Sequence, residues 1–178
     1  MEFRLLGPVE FWDDGCRVDL GHAKQRRVLA ILLIEAGRVV PVGTLIDRVW
    51  DHAPPDTALN VLYGYASRLR TILRPHQVDL IHRCGGYLID IDSDAVDVHR
   101  FRRLVSKACT TRDATVLDEA LVLWRGTPFA GISGSWIAAV RSALEDQHRS
   151  VIAERNEWYQ RTGRHSDVLS PLLPPPAR

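Results

Sequence analysis

Residues 57–73 read TALNVLYGYASRLRTIL, and this stretch decides the predicted fold. Apolar residues recur in it at intervals of three and four, at Leu59, Leu62, Ala66, Leu69 and Leu73. That spacing predicts the buried face of an α-helix. A second face carries polar and basic residues, namely Asn60, Tyr63, Gly64, Ser67, Arg68, Arg70, Thr71 and Arg74. Because such side chains read base edges and hold phosphates, the stretch predicts a helix that lies in the DNA major groove.

The residues before this helix predict a small strand meander and two further helices. Short strands separated by turn residues are predicted over Glu2–Leu6, Val9–Trp12 and Arg17–Leu20. Helices are predicted over Ala23–Ala36 and Val42–Trp50, the first ended by Gly37 and the second opened by Pro41. The loop 51–56 contains Pro54-Pro55, which excludes a helix interior. Asp56 is the expected N-cap of the helix that follows.

The residues after the helix predict a β-hairpin and then a helical region. Two strands, Val78–Arg83 and Tyr87–Ile91, flank a glycine turn. Helices are then predicted over Val98–Cys109, Ala114–Trp124 and Ser135 to about Arg161, followed by a turn at Gly163–His165 and a possible last helix. We therefore expect an α+β winged-helix domain over 1–93 and an all-α, TPR-like helical-repeat domain over 97–173 that ends early. Residues 174–178 form a Pro-rich tail, and the boundary is expected near Asp92–Val96.

Composition and charge limit the classes of protein to which this chain can belong. The longest apolar run, Val28–Ile34, is too short to cross a membrane, and charged residues in 1–15 exclude a secretory leader, so a cytoplasmic protein is expected. The three cysteines and seven histidines have no metal-ligand spacing, so reduced thiols, no metal and no cofactor are predicted. The net charge of +1 and the pI of 7.8 are low for a nucleic-acid-binding protein. Any DNA affinity must therefore come from the local placement of charge.

An enzyme is not expected. Gly131–Ser135 begins like a G-x-S-x-G nucleophile elbow but has serine where the last glycine belongs. The sequence contains neither a P-loop nor a G-x-G-x-x-G after a strand, and no catalytic constellation is evident.

Particular residues resemble the Streptomyces antibiotic regulatory protein family, whose members activate biosynthetic gene clusters. In the first half the resemblance rests on Phe3–Val9 (FRLLGPV), Lys24–Ala30 (KQRRVLA), the run from Asn60 to Arg70, and Gly85-Gly86-Tyr87. In the second half, Asp97–Phe101 (DVHRF), Leu121–Phe129 (LVLWRGTPF) and Thr162–His165 (TGRH) are similar to that family's bacterial transcriptional activation domain. The resemblance covers nearly the whole chain.

The resemblance implies a promoter-binding activator with an OmpR-type winged helix. Thr57–Leu73 would be the recognition helix, with Arg68 the main contact to base or phosphate and Arg83 of the wing in the adjacent minor groove. The implied DNA-binding residues are Lys24, Arg26, Arg27, Asn60, Tyr63, Gly64, Tyr65, Ser67, Arg68, Arg70 and Arg83. Asp51, His52 and Asp56 would lie in the loop that faces RNA polymerase and its sigma factor. Promoter DNA would be bound at tandem direct repeats by a head-to-tail pair of chains.

Alternatives remain open at this point. Arg68 and Arg70 are equally typical of ion pairs on an amphipathic helix. Tyr63 and Tyr65 are equally typical of aromatic residues in a core. The basic residues from Lys24 onward are equally typical of a solvated helix start. A helical-repeat scaffold that binds only protein, or a ligand-gated regulator that uses the winged helix for protein contacts, is the alternative function. The family's activation domain usually continues beyond the length present here, so either a truncated piece or a short form is expected.

Overall fold

The computed structural model describes residues 1–161, and its first element is the predicted meander. The strands β1 (Glu2–Arg4), β2 (Glu10–Asp13) and β3 (Cys16–Val18) form an antiparallel sheet in that order. Phe3 lies opposite Phe11 in the register, and the two buried rings stack with their centroids 4.3 Å apart. This face of the sheet therefore belongs to the core.

Three helices and a second sheet complete the winged helix. The helices are α1 (Ala23–Ile34), α2 (Val42–Trp50) and α3 (Ala58–Leu73), and the strands β4 (Val40–Pro41), β5 (Asp79–Arg83) and β6 (Gly86–Asp90) pair in the order β4-β6-β5. The hairpin turns at Cys84 and Gly85, both with positive φ, a geometry that matches the twist of the two strands. Gly86 must lack a side chain, because a Cβ there would lie 2.4 Å from the carbonyl oxygen of Val40.

The inward face of α3 differs from the predicted one. Leu59, predicted as part of the buried stripe, is 42% exposed, whereas Tyr65, predicted to contact DNA, is 8% exposed. The inward face consists of Ala58, Leu62, Tyr65, Ala66, Leu69 and Leu73. The apolar spacing of three and four is compatible with either Ala58 or Leu59 on the buried face in the first turn. Packing against α1 and α2 buries Ala58. Thr57, not Asp56, is the N-cap residue, and its side chain makes no capping hydrogen bond.

The second half of the described chain is helical, as predicted. It contains α4 (Asp97–Thr111), α5 (Ala114–Leu121) and α6 (Ser135–Arg161). The helix α5 ends three residues before the predicted end at Trp124. The predicted turn at Gly163–His165, the possible last helix, the motif at Thr162–His165 and the tail over 174–178 lie outside the described residues. In the described part, none of the helices has the length and apolar character that crossing a membrane requires.

The two halves share one hydrophobic core and a set of main-chain hydrogen bonds. After α5 the chain runs beside the residues that follow β1, and the amides of Arg125 and Phe129 donate to the carbonyl oxygens of Leu6 (2.7 Å) and Leu5 (2.9 Å). The N-terminal sheet therefore packs against the helical half as well as against the winged helix.

A buried carboxylate holds this contact. Asp97, at the start of α4, accepts hydrogen bonds from the amides of Leu5 (2.8 Å) and Leu6 (2.9 Å), and Arg125 lies 2.5 Å from it. Its side chain has no exposed surface. Burial raises the pKa of Asp97, and the two amides and Arg125 oppose that rise. A buried charge of this kind is retained only where its partners are complete.

Candidate nucleic-acid interface

The outer face of α3 presents most of the predicted DNA-binding side chains. Asn60, Tyr63, Ser67 and Arg68 are exposed, and Gly64 is half-buried between them. The helix contains no acidic residue, so nothing on it neutralises Arg68. Within residues 1–161, Arg68 also forms no ion pair with any other element. We call these five residues together with Arg83 the recognition surface.

The hairpin β5–β6 is held against α3 by Arg70. Its Nε donates to the carbonyl oxygen of Leu80 at 2.7 Å, and its guanidinium lies 5.5 Å from the ring centroid of Tyr87. Burial raises the pKa of Tyr87 above its ordinary value, and the neighbouring Arg70 opposes that rise. Arg83, at the exposed end of β5, is therefore placed at a fixed position relative to α3. This is the arrangement that a helix and a wing need to contact adjacent grooves.

Tyr65 lies inside an aromatic cluster and not on the recognition surface. Its ring contacts His22 edge-to-face at 4.9 Å and stacks on Trp50 at 6.4 Å. A cation lies at each end of the cluster: the guanidinium of Arg68 is 5.7 Å from the Tyr65 ring, and Nζ of Lys24 is 5.5 Å from the Trp50 ring. The prediction that Tyr65 contacts DNA directly is at odds with this burial.

Arg27 is likewise buried, at 6% exposure, although the sequence predicts that it holds a phosphate. Its Nη1 donates to the carbonyl oxygen of Val49 at 2.8 Å, and its Nη2 donates to the carboxylate of Asp51 at 2.7 Å. The space above it is closed by Gly134, where a Cβ would lie 1.1 Å from Nη2. A side chain so enclosed, with both of its terminal nitrogens engaged inside the protein, is not available to hold a phosphate. Its neighbours Lys24 and Arg26 keep an exposed and a half-buried position, respectively.

Asp51 joins the winged helix to the helical half. Besides Arg27, its Oδ1 accepts from the amide (2.7 Å) and the hydroxyl (2.9 Å) of Ser135, the first residue of α6. The hydrogen bond from Arg27, followed by those from Ser135, holds the pKa of Asp51 below its ordinary value. We call the group Arg27, Asp51, Gly134 and Ser135 the junction. Of the three residues predicted to face polymerase, Asp51 thus has an internal role, whereas His52 and Asp56 are exposed without ion pairs in the described chain.

Ion pairs divide the basic residues of the first half into a paired and an unpaired group. In the first half, Arg4, Arg17, Arg27 and Arg48 are each paired with a carboxylate. The basic residues without an ion pair among the described residues of this half are Lys24, Arg26, Arg38, Arg68, Arg70, Arg74 and Arg83. Three of these seven lie on α3 or directly after it. The sequence alone does not give this partition, because the pair that buries Arg27 joins it to Asp51 across 24 positions, although Arg4 pairs with Glu2 only two positions away.

Comparisons with known proteins agree with this architecture. Residues 17–89 match the family described as transcriptional regulatory protein, C terminal, and residues 96–174 match the bacterial transcriptional activator domain. The fold and the site therefore define a regulator with an OmpR-type winged helix followed by a bacterial transcriptional activator domain. The chain belongs to the Streptomyces antibiotic regulatory protein family.

Relatives align with this chain over almost its full length. The chain is 32% identical to the regulatory protein DnrI of Streptomyces peucetius, covering 97% of this chain and 70% of DnrI. It is 35% identical to the regulatory protein AfsR of Streptomyces coelicolor over 97% of this chain, which corresponds to 18% of AfsR. A solved structure of Mycobacterium tuberculosis EmbR, in complex with a low-affinity phosphopeptide, superposes with a TM-score of 0.85 at 30% identity, covering 94% of this chain and 47% of EmbR.

Proposed function

We propose that this protein is a sequence-specific DNA-binding transcriptional activator, without catalytic activity, of a biosynthetic gene cluster. The observation that carries the proposal is the acid-free α3, whose outer face is exposed while Arg70 fixes it to the wing. Membership of a family of antibiotic regulators supports the same function.

The recognition surface would make the base contacts. Seated in the major groove, α3 would direct Arg68 to a guanine edge or a phosphate, and Asn60 and Ser67 would bond neighbouring base edges. Arg83 would reach the next minor groove, where narrow A·T tracts attract arginine. Lys24 and Arg26, at the start of α1, would contact the phosphate backbone and set the register. Arg27 and Tyr65 are left out of this proposed interface because they are buried.

Recruitment of polymerase would use the side of the winged helix that carries the loop between α2 and α3. His52 and Asp56 are exposed in the loop between α2 and α3. Beside them a cleft of about 400 Å³ lies between α2 and α6, lined by Thr44, Asp47, Arg48, His52, Ser135 and Trp136. RNA polymerase holoenzyme, through its sigma factor, is the partner we propose for this side. Two chains would bind head-to-tail on a direct repeat, which places the loops of both copies along one side of the promoter.

The proposal is tested by fluorescence-anisotropy titration of the protein with a labelled promoter fragment from its own gene cluster and with a scrambled fragment. We expect preference for the promoter fragment and affinity that falls steeply between 50 and 200 mM salt, by on the order of 10³-fold if six phosphates are contacted. Binding that ignores both salt and sequence would contradict the proposal and favour the protein-interaction scaffold.

A further inference from the structure

We propose that Tyr65 is a positioning residue that orients the guanidinium of Arg68 toward DNA. This inference rests on the proposed DNA-binding function and adds a role that the exposed residues alone do not reveal. The sequence pattern treats Tyr65 as a direct DNA contact, but its ring is 8% exposed. Its effect on DNA must therefore pass through another side chain, and Arg68 is the exposed cation above it.

The two residues stand one helical turn apart on α3, a spacing that brings their side chains together. The Arg68 guanidinium lies 5.7 Å from the centroid of the Tyr65 ring, within the range of a cation–π contact. Gly64 lies beside this position: a Cβ there would be 3.5 Å from Nη2 of Arg68, an ordinary van der Waals distance. The guanidinium therefore rests across two neighbours on its own helix and does not extend freely into solvent.

The ring beneath Arg68 is itself fixed from two sides. His22, the N-cap residue of α1, meets it edge-to-face, and Trp50, the last residue of α2, stacks on it. Since α1, α2 and α3 all contribute to this aromatic cluster, Tyr65 cannot turn away without disturbing the core. An arginine that rests on an immobile ring loses less rotamer freedom on binding than a free one.

Competing contacts do not explain the orientation of Arg68. The helix α3 carries no carboxylate, and Arg68 is in no ion pair within residues 1–161. The same cluster ends at Lys24, whose Nζ lies 5.5 Å from the Trp50 ring. The cluster thus holds one cation from α1 and one from α3, and both are in the proposed interface.

The first measurement is made on the protein without DNA. Nitrogen-15 NMR of the arginine Nε–Hε groups is recorded for the wild type, Tyr65→Phe and Tyr65→Leu. We expect an upfield ring-current shift of the Arg68 signal in the wild type and in Tyr65→Phe, and its loss in Tyr65→Leu. Arg112, exposed at the end of α4, serves as the reference arginine. An Arg68 shift that is the same in all three proteins would overturn the positioning role, whether or not the protein binds DNA.

The second measurement is a double-mutant cycle with a DNA site selected by the wild type from random duplexes. We expect Tyr65→Leu to weaken binding to that site by about 2- to 5-fold, the worth of one cation–π contact, and Tyr65→Phe to preserve it. In the Arg68→Ala background, Tyr65→Leu should have no further effect. Leu62→Met, a change at another buried position of α3, controls for altered packing and should leave affinity unchanged.

The outcomes separate the inference from the function on which it rests. An equal loss from Tyr65→Leu with and without Arg68 would mean that Tyr65 is only structural. Full affinity in Tyr65→Leu would also reject the inference, while leaving DNA binding intact. Failure of the wild type to select any duplex would reject the proposed function instead, and the NMR shift would still decide whether Tyr65 orders Arg68.

Discussion

Arg27 and Arg68 lie in the same winged helix but have opposite surroundings. At the junction, Arg27 is buried and donates to Val49 and Asp51, so its charge is used inside the protein. On the recognition surface, Arg68 is exposed and rests on an aromatic ring without an acidic partner in the described chain. The difference shows that the partner of an arginine, and not its presence in a basic stretch, decides whether its charge stays available at the surface. Mutations can break each side of this comparison separately.

The largest effect is expected where the two halves meet at Asp97. Asp97→Ala should lower the free energy of unfolding by about 3–5 kcal/mol, because it leaves two buried amides and Arg125 without their acceptor. Urea unfolding followed by circular dichroism measures the change. Asp94→Ala is the control, since Asp94 forms an exposed ion pair with Arg103, which is worth about 0–1 kcal/mol. Similar losses in the two variants would refute the structural role of Asp97.

The next largest loss of stability is expected at the junction, where two adjacent arginines, Arg27 and Arg26, can be compared. Arg27→Met should destabilise the protein by about 2–3 kcal/mol, less than a fully buried pair would cost, because the Asp51 side chain is 40% exposed. Arg26→Met should change stability by less than about 0.5 kcal/mol. DNA titrations should show the reverse order, with Arg26→Met weakening binding and folded Arg27→Met retaining it. If Arg27→Met lost DNA affinity while keeping its stability, the assignment of the two residues would be inverted.

On the recognition surface, Arg68→Ala should weaken specific binding by about 1–3 kcal/mol, the scale of one bidentate base contact. Its unfolding free energy should stay near that of the wild type, since the side chain is exposed. Arg112→Ala, which removes an exposed arginine from the helical half, is the matched control for charge. Equal affinity of Arg68→Ala and the wild type in the anisotropy titration would exclude Arg68 from the interface.

The smallest effect is a pH dependence of the junction. The pKa of Asp51 is lowered from its ordinary value of 3.8, mainly by the hydrogen bond from Arg27. Its contribution to stability is therefore complete above pH 3.8 and is lost as the pH falls through the lower folded-state pKa. In thermal unfolding between pH 5 and 2.5, the melting temperature of Asp51→Asn should fall less steeply with decreasing pH than that of the wild type. Parallel curves for the two proteins would show that Asp51 does not titrate differently on folding.

Much of the fold follows from local sequence patterns. The bounds of α2 agree with the prediction, α3 begins one residue late, and the hairpin lies at the predicted glycine turn. Pro41 at the start of α2 and Cys84-Gly85 in the hairpin turn act through local backbone geometry, which requires no knowledge of distant partners.

The parts that could not be predicted depend on long-range contacts. Arg27 meets Asp51 across 24 positions, and Asp97 meets Leu5 across 92. Leu59, predicted to be buried, is exposed, whereas Tyr65, predicted to be exposed, is buried. Apolar spacing of three and four defines a helix face but does not fix which residues at its edges are buried. The recognition surface was predictable as a polar face, whereas the separation of free from paired arginines was not.

The hydrogen bonds between the segment after α5 and the residues after β1 also have a consequence for the time course of folding. Leu5 and Leu6 are synthesised early, yet their partners Asp97, Arg125 and Phe129 are synthesised more than ninety residues later. At a typical translation rate of about 5–20 residues per second, they wait for about 5 to 25 seconds without these contacts. Such distant closures are entropically costly and slow. The meander and the helical half should therefore acquire their protection from hydrogen exchange together, after α1, α2 and α3 have already formed.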